Sequence, residues 1–222
     1  DLLFAGIHNG LMISPDGGER WVRAGGNLPP VSVNGIEIKN GDLVLGTYGR
    51  GIMIMDDIVF LEQLTSEVMD ADAHLFPLRN TEQFYRNNRS PANRTALFAG
   101  PNPEYGALIT YYLKDPPPAA PPSGESSPDD QPSETPEVAI HILSPDGTVI
   151  RELTGPDRPG FNRVAWDLRM TPDADESEEG EEQERGRRRE LVDVEPGTYT
   201  VRLSARGQEM DQTMTVIPDK RR

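Results

Sequence analysis

The 222-residue chain contains no cysteine. That excludes a disulfide framework, a thiol nucleophile and any Cys-ligated metal site, while leaving the compartment open. Histidine is nearly as scarce, and His8, His74 and His141 are too far apart in sequence to share a metal-ligand spacing. No metal and no cofactor is expected. Long apolar runs are missing as well; none approaches the roughly 20 residues that span a bilayer, so no membrane insertion is expected. Positive charge is in deficit, with 22 Lys and Arg against 37 Asp and Glu and a formal net charge of −15. Such a balance repels phosphate backbones and anionic lipid, which argues against nucleic acid as a partner.

What the chain has in quantity is punctuation. Its 21 Gly and 21 Pro accompany only 35% hydrophobic residues, a mixture that favours short strands, many turns and some disorder over one compact core. The length suits one large or two small domains. The opening "DLLFAGIHNG" enters directly on a strand pattern, from which the chain is expected to be the C-terminal part of a longer protein.

A repeat organises residues 1–60. "LLFAGIHNGLMIS" lies over "LVLGTYGRGIMIM", with Leu2 on Leu43, Gly10 on Gly51, Met12 on Met53, Ile13 on Ile54 and, further on, Asp16 on Asp57. The offset, 41 residues, falls in the roughly 40–50 residue range of propeller blades. Each copy reads as apolar strand, Gly-containing turn, apolar strand. Residues 1–60 are therefore expected to hold three strands of one blade followed by a complete blade.

Between the copies stands "SPDGGERW", which satisfies Ser-x-Asp-x-Gly-x-x-Trp through Ser14, Asp16, Gly18 and Trp21. Asp16 can accept backbone N–H bonds within the turn, Gly17 or Gly18 can take positive φ, and Trp21 offers an apolar anchor. With this motif the chain resembles the Asp-box (BNR) propellers of the sialidase-like and sortilin-like type. The resemblance implies an extracellular or periplasmic protein with Asp-boxes between the third and fourth strands of its blades, away from the ligand funnel. Asp16 is accordingly expected to be a turn staple and not a general acid or a metal ligand. The loops at the opposite end of the blades, His8-Asn9-Gly10 and Tyr48-Gly49-Arg50-Gly51, hold the candidate ligand-face residues His8, Asn9, Tyr48 and Arg50. Arg50 suits a carboxylate or phosphate, and Tyr48 a sugar ring. No catalytic residue is assigned. A retaining glycosidase needs two carboxyl groups about 5–5.5 Å apart, whereas adjacent strand residues such as Asp56 and Asp57 point to opposite faces.

Residues 61–104 form a connector expected to pack on the propeller, with a short helix or turn around Thr65–Met69 and a basic stretch of Arg79, Arg86, Arg89 and Arg94. From 105 to 218 the period is two. Ala107, Ile109, Tyr111 and Leu113 share a face, as do Val138, Ile140 and Ile142, then Val164, Trp166 and Leu168, then Tyr199, Val201 and Leu203. This gives about six strands of a small antiparallel sandwich. Its "G-x-N-x-V-x-W-D" and "PGTYTVRL" stretches resemble the Ig-like module of flagellar hook-capping proteins, which makes Trp166 a core residue. Two insertions, 115–136 with eight prolines and 172–190 with an acidic block before an Arg cluster, are expected to be disordered.

The expected fold is thus all-β: terminal propeller blades followed by an Ig-like sandwich. The expected function is a non-catalytic scaffold for a carbohydrate or protein ligand, secreted or periplasmic by resemblance. The alternative is a sialidase-like glycoside hydrolase whose catalytic residues lie mainly in blades outside this chain. The oligomeric state stays open.

Overall fold

The computed structural model describes residues 1–84, 104–114, 138–172 and 191–219. Both insertions fall outside the described residues except for Pro172, as do Arg86, Arg89 and Arg94. The described fold is all-β. The chain divides into two compact units, Asp1–Ala71 and Asp72–Arg222.

The first unit holds two antiparallel sheets. In one, β1 (Leu3–Ile7), β2 (Gly10–Ser14) and β3 (Val22–Arg23) lie in that order; in the other, β4 (Val33–Lys39), β5 (Asp42–Thr47) and β6 (Gly51–Met55) do the same. The turn between β4 and β5 is Asn40-Gly41, both at positive φ, the two-residue hairpin in which Asn-Gly is favoured because its twist matches that of the strands. Leu11, Ile13, Val33, Leu43 and Leu45 are buried.

The repeat holds in three dimensions with one adjustment. Ile7 pairs with Gly10 across the two-residue turn His8-Asn9, whereas Thr47 pairs with Gly51 across the three-residue turn Tyr48-Gly49-Arg50. The extra turn residue slips the leading strands by one. Leu3, opposite Ser14, corresponds to Leu43, opposite Met55, and Gly6 corresponds to Gly46. Ungapped alignment had set Leu2 on Leu43.

Among the described residues the sheet of the second copy has three strands. Asp57 takes positive φ and its N–H donates to the Asp42 carboxylate at 2.9 Å, turning the chain out of the strand direction. Residues Val59–Gln63 then wind into a 3-10 helix that buries Phe60 and Leu61, where a fourth strand was expected. These consecutive side chains cannot both reach a core from an extended strand, whose successive side chains face opposite ways. The short helix expected around Thr65–Met69 is α1 (Ser66–Asp70), capped by Thr65, whose hydroxyl accepts from the Val68 N–H at 3.3 Å.

The second unit builds two larger sheets from β7 (Ala73–Leu75), β8 (Thr81–Glu82), β9 (Ala107–Leu113), β10 (Val138–Leu143), β11 (Val149–Thr154), β12 (Gly160–Trp166), β15 (Gly197–Ala205) and β16 (Gln208–Ile217). One sheet runs β12-β9-β7 and the other β11-β10-β15-β16-β8, while β13 (Arg169–Met170) and β14 (Val192–Asp193) make a separate ribbon. Both sheets feed one core, with Leu75, Ile109, Tyr111 and Trp166 from the first and Ile140, Val201, Leu203 and Met214 from the second. Trp166 is fully buried, its indole N–H donates to the Arg169 carbonyl at 2.9 Å, and its ring meets Tyr199 edge-on at 5.4 Å. It is a core residue and no sugar platform.

Residues 73–82 of the expected connector belong to the sheets of the second unit: β7 pairs with β9, and β8 pairs with β16 in parallel. Ala73 and Leu75 alternate inward with His74 between them, so the segment extends a sheet whose β9 edge would otherwise stand open.

Candidate functional site

The Ser-x-Asp-x-Gly-x-x-Trp turn begins where β2 ends. The Ser14 hydroxyl donates to the Asp16 carboxylate at 2.8 Å and accepts the Gly18 N–H at 2.8 Å. Asp16 also takes the Arg20 N–H at 2.9 Å and the Arg20 guanidinium at 3.3 Å. The Arg20 N–H and then the Ser14 hydroxyl lower the Asp16 carboxyl to about 2, from a usual value of about 4. Gly17 and Gly18 both sit at positive φ, and the Gly17 N–H closes the turn on the Asp1 carbonyl at 2.8 Å. A carboxylate this engaged is a poor proton donor near neutral pH. The turn is a staple.

Trp21, expected as an apolar anchor, is 40% exposed. It precedes β3, an edge strand only two residues long that meets β2 at two positions, so little structure is available to cover the indole.

The opposite ends of the hairpins gather the residues proposed for ligand contact. His8 and Asn9 form the β1–β2 turn and Tyr48 to Arg50 the β5–β6 turn, both at the other end of β2 and β6 from Asp16 and Asp57. Ser32 joins them: it bridges Gly10 in parallel, and its carbonyl accepts the Tyr48 N–H at 2.9 Å. The Ser32 hydroxyl donates to the Asn34 side-chain carbonyl at 2.8 Å. The Arg23 guanidinium donates to the Asn9 carbonyl and lies over Gly10. His8, Asn9, Tyr48 and Arg50 are all exposed, Tyr48 by 78%.

Ser32 and Arg23 escaped sequence reasoning because nothing in the repeat marks them; each reaches the turns through strand pairing. The resulting surface offers one imidazole, one amide, one phenol and two guanidinium groups. Asp56 and Asp57 lie at the other end of β6 from these turns. Binding through hydrogen bonds, stacking and charge is within its means. Among the described residues, no group of three or more His, Asp and Glu could hold a metal ion, and no helix is long and apolar enough to cross a membrane.

No family model and no curated protein matches the chain.

Proposed function

We propose that this chain is the C-terminal part of a secreted or periplasmic Asp-box propeller protein. In this reading it is a non-catalytic scaffold for a carbohydrate or protein ligand, with an Ig-like accessory domain. The observation that carries it is the pairing of a complete Asp-box turn at one end of the first unit with the His8-Asn9 and Tyr48-Arg50 turns at the other. Two three-stranded sheets bury too little alone, and blades gain stability by stacking. The apolar side chains left exposed on β6, Ile52 at 72% and Ile54 at 59%, accord with a sheet made to be covered on both faces.

Strand order supports the Ig-like part. The sheets β12-β9-β7 and β11-β10-β15-β16-β8 accord with two sheets of an immunoglobulin-type sandwich in which the first strand divides between them. The Tyr199 hydroxyl donates to the Glu195 carbonyl at 2.7 Å, four residues upstream at the start of β15, as in a tyrosine corner.

The test offers the chain a panel of aryl glycosides and an array of glycans and secreted proteins. We expect no turnover, and retention of a glycan or protein that falls at least fivefold in Arg50→Ala and Tyr48→Ala. Turnover would overturn the non-catalytic reading in favour of a glycoside hydrolase. Retention indifferent to both substitutions would overturn the assignment of this surface.

A further inference from the structure

The second unit holds a cleft of about 370 Å³ whose lining includes none of the proposed ligand-face residues. It opens where Gln83 and Phe84 leave β8, Tyr105 approaches β9, and the link from β14 to β15 passes the end of β16. Phe84 and Tyr105 stand almost at right angles there, with ring centroids 4.9 Å apart and planes at 87°. In such a pair the edge of one ring meets one face of the other, so both faces of the first and the second face of its neighbour stay outside that contact. Phe84 is 48% exposed with its neighbour in place.

Hydrogen bonds hold the cleft open in one shape. The Gln83 side-chain amide donates to the Val194 carbonyl at 2.6 Å, and its backbone N–H to the Ile217 carbonyl at 2.8 Å. The Val194 N–H donates to the Leu168 carbonyl at 2.9 Å. The recess is thus preformed by the ends of the strands, as ligand sites usually are.

Its polar rim accepts hydrogen bonds. Asp193, Glu195 and Asp219 line it, and an ionised carboxylate offers acceptor sites alone, about four of them. Asp193 already receives the Arg169 guanidinium at 3.2 Å, and Asp219 is engaged as well. Such partners keep a carboxylate in place and leave it further acceptor sites for a guest. The guest that matches carries neutral hydroxyl donors around its edge and an apolar face for a ring. A pyranose has both, in its hydroxyls and its C–H face. A wholly apolar guest would desolvate the carboxylates and give them no hydrogen bond. An anionic sugar would meet three lining carboxylates in a chain of net charge −15. The volume lies near the lower end of the roughly 300–1,000 Å³ range of ligand pockets, which suits a short saccharide and not a long polymer.

We propose that this cleft binds a neutral hexopyranose unit. Phe84 takes the C–H face of the sugar, and Glu195 with Asp193 accepts from its hydroxyls. The site shares no residue with the ligand face of the first unit and does not rest on that reading.

The experiment titrates the isotope-labelled full chain with the methyl α- and β-glycosides of glucose, galactose and mannose, and with the methyl uronide counterpart of each. Amide chemical shifts are the readout. We expect a neutral glycoside to shift the amides of Phe84, Tyr105, Asp193 and Glu195 saturably in the millimolar range, and its uronide to bind about tenfold more weakly. Phe84→Ala and Glu195→Ala should each weaken binding about fivefold. Both variants should keep the wild-type circular dichroism, because both side chains are exposed. No saturable shift with any neutral glycoside of the set would overturn the proposal. So would shifts confined to Tyr48 and Arg50, affinity indifferent to both substitutions, or a uronide that binds as tightly as its neutral parent.

Discussion

Ser14 donates its hydroxyl to the Asp16 carboxylate at 2.8 Å, and the same bond recurs between Ser144 and Asp146 in the second unit. The tetrapeptide Ser-Pro-Asp-Gly therefore wires its first and third residues alike in both places. What differs is the N–H that the carboxylate captures next: Arg20, four residues on, in the first turn, and Thr148, two residues on, in the second. The longer reach staples the Ser-x-Asp-x-Gly-x-x-Trp turn after β2, and the shorter one closes the hairpin from β10 to β11.

Asp16 should titrate with a midpoint near 2, read by carboxyl chemical shift. Its folded value lies below the unfolded one of about 3.9. The stabilisation is thus complete above about pH 4 and is lost as pH falls through 2. The amides of Gly18 and Arg20 should follow the same curve. A midpoint at the ordinary carboxylate value would mean that the turn is not stapled in solution.

Trp21→Ala should cost about 1–2 kcal/mol in urea unfolding of the first unit, a modest loss because two-fifths of the indole is already in water. A loss above about 3 kcal/mol would show that the residue is covered after all.

Trp166→Ala should cost about 3–5 kcal/mol, since a fully buried indole is removed together with its hydrogen bond to Arg169. Gly106→Ala should be as damaging despite adding only a methyl group. Gly106 sits at φ 116°, and a Cβ there would lie 1.8 Å from the Trp166 carbonyl oxygen, backbone that cannot turn aside. Equilibrium unfolding checks both, and wild-type stability in Gly106→Ala would contradict the close approach of these segments.

His74 should contribute to the pH response of the second unit just below neutrality. Its Nε2 is buried without a hydrogen-bond partner and its ring meets Phe76 edge-on at 4.8 Å. Burial lowers its pKa below 6.5. The folded state thus prefers the neutral ring: stability is complete above about pH 6.5 and declines as pH falls below it toward the folded value. His74→Phe should flatten thermal stability between pH 7 and 5. An unchanged slope in that variant would assign the response to another group.

Much of the fold was legible in short-range pattern. The alternation at Ile109, Tyr111 and Leu113, or at Tyr199, Val201 and Leu203, marks strands because one side of a pleated chain must be apolar to be buried. Hairpin turns were equally plain, as at Arg206-Gly207, where both residues take positive φ between paired Ala205 and Gln208. The partners of β7 and β8 were not legible. Strands of three and two residues do not say which sheet edge they will join, and their mates β9 and β16 lie more than 30 and 130 residues away.

The proposed ligand face divides in the same way. Sequence spacing alone determined that His8, Asn9, Tyr48 and Arg50 occupy hairpin turns, because strand, Gly-bearing turn and strand follow one another locally. Sequence also determined the turn from Ser14 to Arg20, whose hydrogen bonds span no more than four residues. Only the tertiary structure decided that both turns meet at Ser32, that Arg23 reaches across to Asn9, and that Trp21 stays partly in water. It also decided that Phe84 and Tyr105 share a cleft with Glu195. Contacts between distant segments depend on which faces remain to be buried once the strands have formed, a property of the assembled sheets and of no single stretch of chain.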